Sequence, residues 1–177
     1  SSGIAVVADS WWRALRARFE SLQQLPAEAA PRCVLVRGDA GQFASGGDIH
    51  EFAGFRFDEV ALHDFHEHTV ALALQAMLDC DIPLLAQIDG ACVGGGLEIA
   101  ACCDIRIAAA GSRFGVPIAK LGFPMAPAEL EIVAAVDDDL LDRPVERTLT
   151  EPLLEGVGDF VEPAAERTLR GTRVDDR

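Results

Sequence analysis

The sequence predicts an α/β domain on three observations. Short apolar runs have the length of buried strands, stretches between them carry apolar residues at helical spacing, and glycine-rich turns follow two of the runs. Taken in order, Trp11, Leu15, Phe19 and Leu22 recur every three or four residues, which predicts a helix with Asp9 or Ser10 at its start. Residues 33–36 (CVLV) form the first strand, and their continuous rather than alternating apolar pattern suits burial on both faces. Leu62, Phe65, Thr69, Leu72 and Ala76 predict a second helix, and residues 84–88 (LLAQI) a second strand. A third helix is expected from Gly96 or Leu97, and a third strand over residues 105–109. Beyond about Val136 the pattern becomes acidic and poorly periodic, starting with Asp137, Asp138 and Asp139. Residues 1–135 are therefore read as the core and 136–177 as a divergent segment, helical or irregular, with short helices expected near residues 148–154 and 163–169. No internal repeat is visible.

Composition narrows the functions. The chain has 177 residues, of which 50% are hydrophobic and 25% charged, which excludes a disordered or collagen-like protein. A chain of this length buries roughly 70% of its unfolded surface, so it needs no metal or disulfide staple. The formal net charge of -14 repels phosphate backbones and anionic lipid, so neither nucleic acid nor a membrane is an expected partner. Residues 82–103 are apolar but contain Asp89, Glu98 and several glycines, so they do not make a transmembrane helix. Cys33, Cys80, Cys92, Cys102 and Cys103 are odd in number and lack CxxC spacing, as in a reducing compartment, and a cytoplasmic location is expected. Ser1-Ser2-Gly3 opens without Met or the features of a secretory leader, so an expression scar or an internal starting point is expected.

The chemistry lies in two glycine turns. GDAGQFASGGDI (residues 38–49) follows the first strand and DGACVGGGLEI (residues 89–99) the second. In each, glycines let the backbone turn with its N–H groups exposed, and a helix begins whose positive end faces the turn. Two such turns side by side can offer one N–H each to a single oxygen, the arrangement that stabilises an enolate or a tetrahedral oxyanion. Glycines can also serve only close strand-to-helix packing. A dinucleotide fingerprint fails because Ile99 stands where Gly or Ala is required, and a phosphate-binding loop fails for want of its Lys and Ser/Thr.

Residues 33–52 (CVLVRGDAGQFASGGDIHEF) and 82–122 (IPLLAQIDGACVGGGLEIAACCDIRIAAAGSRFGVPIAKLG) resemble the enoyl-CoA hydratase/isomerase, or crotonase, family in order, spacing and context. The resemblance covers about residues 10–130. It implies a crotonase-like spiral of ββα units, here with a shortened N-terminal hairpin, assembled as homotrimers or hexamers. It further implies an acyl-CoA thioester as partner, coenzyme A as part of the substrate rather than a tightly bound cofactor, and a role in fatty acid metabolism. The oxyanion donors map onto the N–H groups of Gly47 and Gly95. Phe43, Ala44, Ser45, Gly46, Asp48, Gly94, Pro117 and Ile118 map near the ligand, although Asp48 is favoured as a helix cap. CoA phosphates would need local basic groups such as Arg13, Arg16 or Lys120.

Glu98 lies in the first turn of the third helix, close to where the thioester would sit, and is the candidate acid/base. An acid there also suits the helix dipole without any chemistry. In hydratases of the family a second Glu follows the Phe-Gly-x-Pro element, whereas here Ile118 follows Phe114-Gly115-Val116-Pro117. Hydration calls for water activation at Cβ and proton delivery at Cα, work suited to two carboxylates. The resemblance thus implies an enolate-stabilising enzyme whose exact reaction is open. The alternatives are a catalytically impaired binding or assembly subunit, and an ordinary hydratase with a non-standard second acid. Glu129 and Glu131 are the nearby substitutes, read first as solvated helix carboxylates. His63, His66 and His68 are read as a solvated polar face and not a metal site, Trp11 and Trp12 as packing residues, and Cys102 and Cys103 as structural thiols.

Overall fold

β1 (Val34–Arg37) is completely buried at Val34, Leu35 and Val36, and it sits inside a parallel sheet of order β4-β2-β1-β6. The computed structural model describes residues 9–55, 57–117, 127–134 and 158–161. The other strands of this sheet are β2 (Leu84–Ile88), β4 (Ile105–Ala108) and β6 (Gly158–Val161). Val34 pairs with Leu84, Leu85 with Ile105 and Val34 with Gly158. Of the three strands expected from the sequence, burial on both faces holds only for β1. β2 alternates, with Leu84, Ala86 and Ile88 inward, and β4 leaves Ile105 exposed. β6 falls in the segment expected to be helical or irregular, where the sequence carries no long apolar run. The expected short helices there, the shortened hairpin, Ile118 and Lys120 lie outside the described residues.

A second, smaller parallel sheet pairs β3 (Ala91–Val93) with β5 (Arg113–Gly115), and an isolated parallel bridge from Ala44 to Cys92 adds a one-residue partner alongside β3. Each turn of the chain therefore puts one strand in the large sheet, a short one in the small sheet, and then a helix. β1, the Ala44 bridge and α2 (Ile49–Phe52) form one such turn, and β2, β3 and α5 (Gly95–Ala101) the next. β4 and β5 start a third, with α6 (Pro127–Ala134) beyond them. This is the expected spiral of ββα units. Parallel neighbours require crossover connections, and the helices fill that role.

α1 (Asp9–Gln23) buries Trp11, Trp12, Leu15, Phe19 and Leu22. It is tied to the second helical stretch by the Gln23 side chain, which donates to the Ala76 carbonyl at 3.0 Å. That stretch runs as α3 (Glu59–Asp64), a π-helical turn over Phe65–Val70, and α4 (Ala71–Leu78). Arg106 donates to the carbonyls of Ala100, Ala101 and Cys103, giving the orphan acceptors at the end of α5 a cationic partner. Cys92, Cys102 and Cys103 are buried, and desolvation raises all three thiols, as structural cysteines require.

Candidate active site

The two glycine turns lie against each other. Phe43 donates its N–H to the Asp89 carbonyl at 2.7 Å, Ala44 donates to Ala91 at 2.9 Å, and Val93 donates back to Ala44 at 2.9 Å. The Gln42 side chain accepts from the Ala91 N–H at 2.8 Å, bridging from the first turn to the second. Glycine is required where the backbones meet: a Cβ on Gly96 would stand 2.6 Å from the Ala44 Cβ, and one on Gly90, at φ +60°, would stand 2.4 Å from the Gly41 carbonyl oxygen. Gly46 and Gly94 also take positive φ and face each other across the seam, a Gly94 Cβ falling 3.4 Å from the Gly46 Cα.

This seam places the candidate donors. Gly94 caps α5: its N–H donates to Gly115 at 2.8 Å, and its carbonyl accepts from Leu97 and Glu98. Gly95 is the first helical residue, whose N–H has no intrahelical acceptor. Gly47 takes part in an isolated β-bridge, and the N–H of Gly95 donates to no backbone acceptor among the described residues. Phe43 and Ala44 turn their side chains into the core. Ser45 and Gly47 remain partly accessible along the first turn. Asp48 is the N-cap of α2, accepting from the His50 N–H at 2.9 Å, with the His50 ring at 3.0 Å, and these bonds hold its carboxyl below the usual range.

Glu98 is 6% exposed, and its Oε2 lies 3.9 Å from the position a Gly95 Cβ would take. Its carboxyl is pushed up to about 8, first by desolvation and then by the charge of Glu129. From an ordinary 4.5, that corresponds to on the order of 5 kcal/mol against ionisation. The helix dipole, worth about 0.3–2 kcal/mol in the other direction, loses. Burial thus outweighs the helix dipole at Glu98, and a carboxyl that titrates near neutrality can both take and give a proton.

Two residues take unexpected places. Glu129, expected on a solvated face, is 2% exposed, while Glu131 is exposed. His66 is not on a solvated face either: its Nδ1 lies 2.7 Å from Glu129 Oε1, whereas His63 is exposed and His68 pairs with Asp64 in the open. Trp12 packs on the site, its ring 2.8 Å from a Gly95 Cβ position. The candidate CoA ligands Arg13 and Arg16 pair along α1 with Asp9 at 3.1 Å and Glu20 at 2.7 Å. Among the described residues, no group of three or more His, Cys, Asp or Glu is placed to hold a metal, and no helix is long and apolar enough to cross a membrane.

A parallel spiral of ββα units with two apposed glycine turns and a buried glutamate defines the class of protein. The sequence pattern of the family described as enoyl-CoA hydratase/isomerase matches residues 15–134, and the chain belongs to that family. It is 32% identical over 110 residues to a probable enoyl-CoA hydratase of Bacillus subtilis, a match covering 62% of this chain and 42% of that protein. Over 108 residues it is 30% identical to the mitochondrial methylglutaconyl-CoA hydratase of Rattus norvegicus, covering 60% of this chain and 33% of the relative. Among solved structures, an enoyl-CoA hydratase/carnithine racemase from Magnetospirillum magneticum superposes with a TM-score of 0.67 at 33% identity, covering 89% of this chain and 60% of that one. The matches to these curated relatives span less than half of their length.

Proposed function

We propose that this chain carries the active site of an acyl-CoA enzyme of the hydratase/isomerase type. The thioester carbonyl oxygen sits between the N–H groups of Gly47 and Gly95, and Glu98 moves a proton at Cα while the negative charge collects on that oxygen. One observation carries this reading: a buried carboxyl titrating near neutrality lies beside Gly95, on the seam where the two glycine turns meet. Two N–H donors in a water-poor site stabilise developing charge without reorganising during reaction. Loss of a single donor of this kind lowers kcat by about 10²–10³-fold. The test is binding of acyl-CoA together with turnover of a panel of enoyl-CoA esters. Binding and turnover in the wild type, with turnover lost in Glu98→Gln, are expected; no binding and no turnover would remove the reading.

Ile118 favours a second reading, a crotonase-fold subunit that binds acyl-CoA without converting it. Tight binding with no turnover of any ester would establish it. Robust hydration of crotonyl-CoA would instead show an ordinary hydratase with its second acid outside the expected place.

A further inference from the structure

Gly94, Gly95 and Gly96 are glycines for different reasons. Gly94 takes φ +56°, and a Cβ on Gly96 would strike Ala44. Gly95 has neither constraint: it is the first residue of α5, in helical backbone without a positive φ. A Cβ there would instead meet the Trp12 ring, with Cζ2 at 2.8 Å and Cη2 at 3.4 Å. Alanine is the better helix former, so the indole has taken the space of the donor residue's own side chain. Trp12 is not loose in that place. It is 2% exposed, and its ring stands edge-on to Trp11 with centroids 5.7 Å apart. The first turn of α1, which carries it, is tied on both sides of the ring. Asp9 donates its N–H to Glu51 Oε2 of α2 at 2.8 Å, and Arg13 donates to Thr69 Oγ1 of the π-helical turn at 3.2 Å. One helical turn therefore grips the helix that follows Gly47 and rests on Gly95 itself.

We propose that Trp12 is a positioning residue of the oxyanion site: the start of α1 braces the two glycine turns against each other, and the indole seated on Gly95 fixes where its N–H points relative to that of Gly47. The inference rests on the acyl-CoA reading above. Neither donor residue has a side chain to anchor it, so the direction of each N–H is set by what packs on its backbone. Donors stabilise charge only at the place where the oxyanion forms, and a misplacement of about 1 Å can cost about 10²-fold in rate. Trp12 acts through Gly95, and no contact with the substrate is required of it.

The experiment is a double-mutant cycle of Trp12→Leu and Gly95→Ala, read as kcat and KM for an enoyl-CoA ester and as the urea unfolding midpoint. Trp12→Leu, measured where circular dichroism shows it folded, is expected to lower kcat at least about tenfold with KM within about threefold. Gly95→Ala keeps the N–H but drives a methyl into the ring, and a similar loss is expected. In the Trp12→Leu background that space is open, so Gly95→Ala is expected to cost less than about twofold there. A lowered midpoint with wild-type kcat in Trp12→Leu, as packing alone would give, overturns the proposal, and so do rate losses that multiply in the double variant. If Trp12→Leu does not fold, Trp12→Phe, which lacks the ring edge at Cζ2 and Cη2, takes its place with the same outcomes. Turnover by the wild type matched in Trp12→Leu removes the brace and leaves the acyl-CoA reading standing. A wild type that neither binds nor converts any ester removes that reading and the catalytic use of the brace together. Non-additive midpoints across the cycle would then still place Trp12 on Gly95, and midpoints that add would overturn that contact too.

Discussion

Glu98 couples the site to stability through its proton. Its carboxyl titrates near an ordinary 4.5 when the chain is unfolded and at about 8 when folded. Between those pH values the folded state binds the proton and the unfolded state does not, so stability falls as pH rises, by up to about 1.4 kcal/mol per pH unit. Below pH 4.5 both states are protonated and the burial penalty is absent; above pH 8 the penalty is constant. Glu98→Gln should therefore flatten the stability-pH curve between about pH 4.5 and 8, measured by urea unfolding. A decline in the variant as steep as in the wild type would mean that Glu98 is not the group responsible. Gly47→Pro tests the other half of the site: with acyl-CoA binding intact, kcat is expected to drop about 10²–10³-fold for the lost donor. An unaltered kcat would show that its N–H faces no developing charge.

At the scale of elements, the seam between the glycine turns is held by close backbone approach. Gly96→Ala drives a methyl to 2.6 Å from the Ala44 Cβ and 2.9 Å from its carbonyl oxygen. The expected loss is about 1–3 kcal/mol, read as a lower unfolding midpoint; a neutral outcome would show that α5 can slide away from the first turn. The positions of β1, β2 and α5 were legible because apolar runs and glycines punctuate them, and Asp48 was legible as a cap from its place before a helix. Glu129 and His66 were not. PAELEIVA holds acids three and five residues into α6, and only a partner 63 residues away decides which is buried. A π-helical turn has no signature in a pattern read at a period of 3.6, so the inward turn of His66 was invisible. β6 is added to the sheet through its pairing with β1 rather than through an apolar run of its own.

For the whole molecule, the net charge of -14 first excluded polyanionic partners, yet CoA is itself an anion. Arg13 and Arg16 are engaged along α1, so long-range repulsion of the ligand is opposed only locally. Raising salt from about 0.01 M to 0.1 M shortens the screening length from about 30 Å to 10 Å, and acyl-CoA association should speed up in stopped-flow measurements. Slower association with salt would reveal a basic patch that outweighs the overall charge. Whether the paired glycine turns and Glu98 process a thioester is tested most directly by kcat and KM across enoyl-CoA esters of graded chain length, for the wild type beside Glu98→Gln. Turnover of at least one ester by the wild type is expected, reduced about 10²–10⁴-fold in the variant with acyl-CoA still bound. A wild type that neither binds nor converts any ester, or a variant as fast as the wild type, would contradict the assignment.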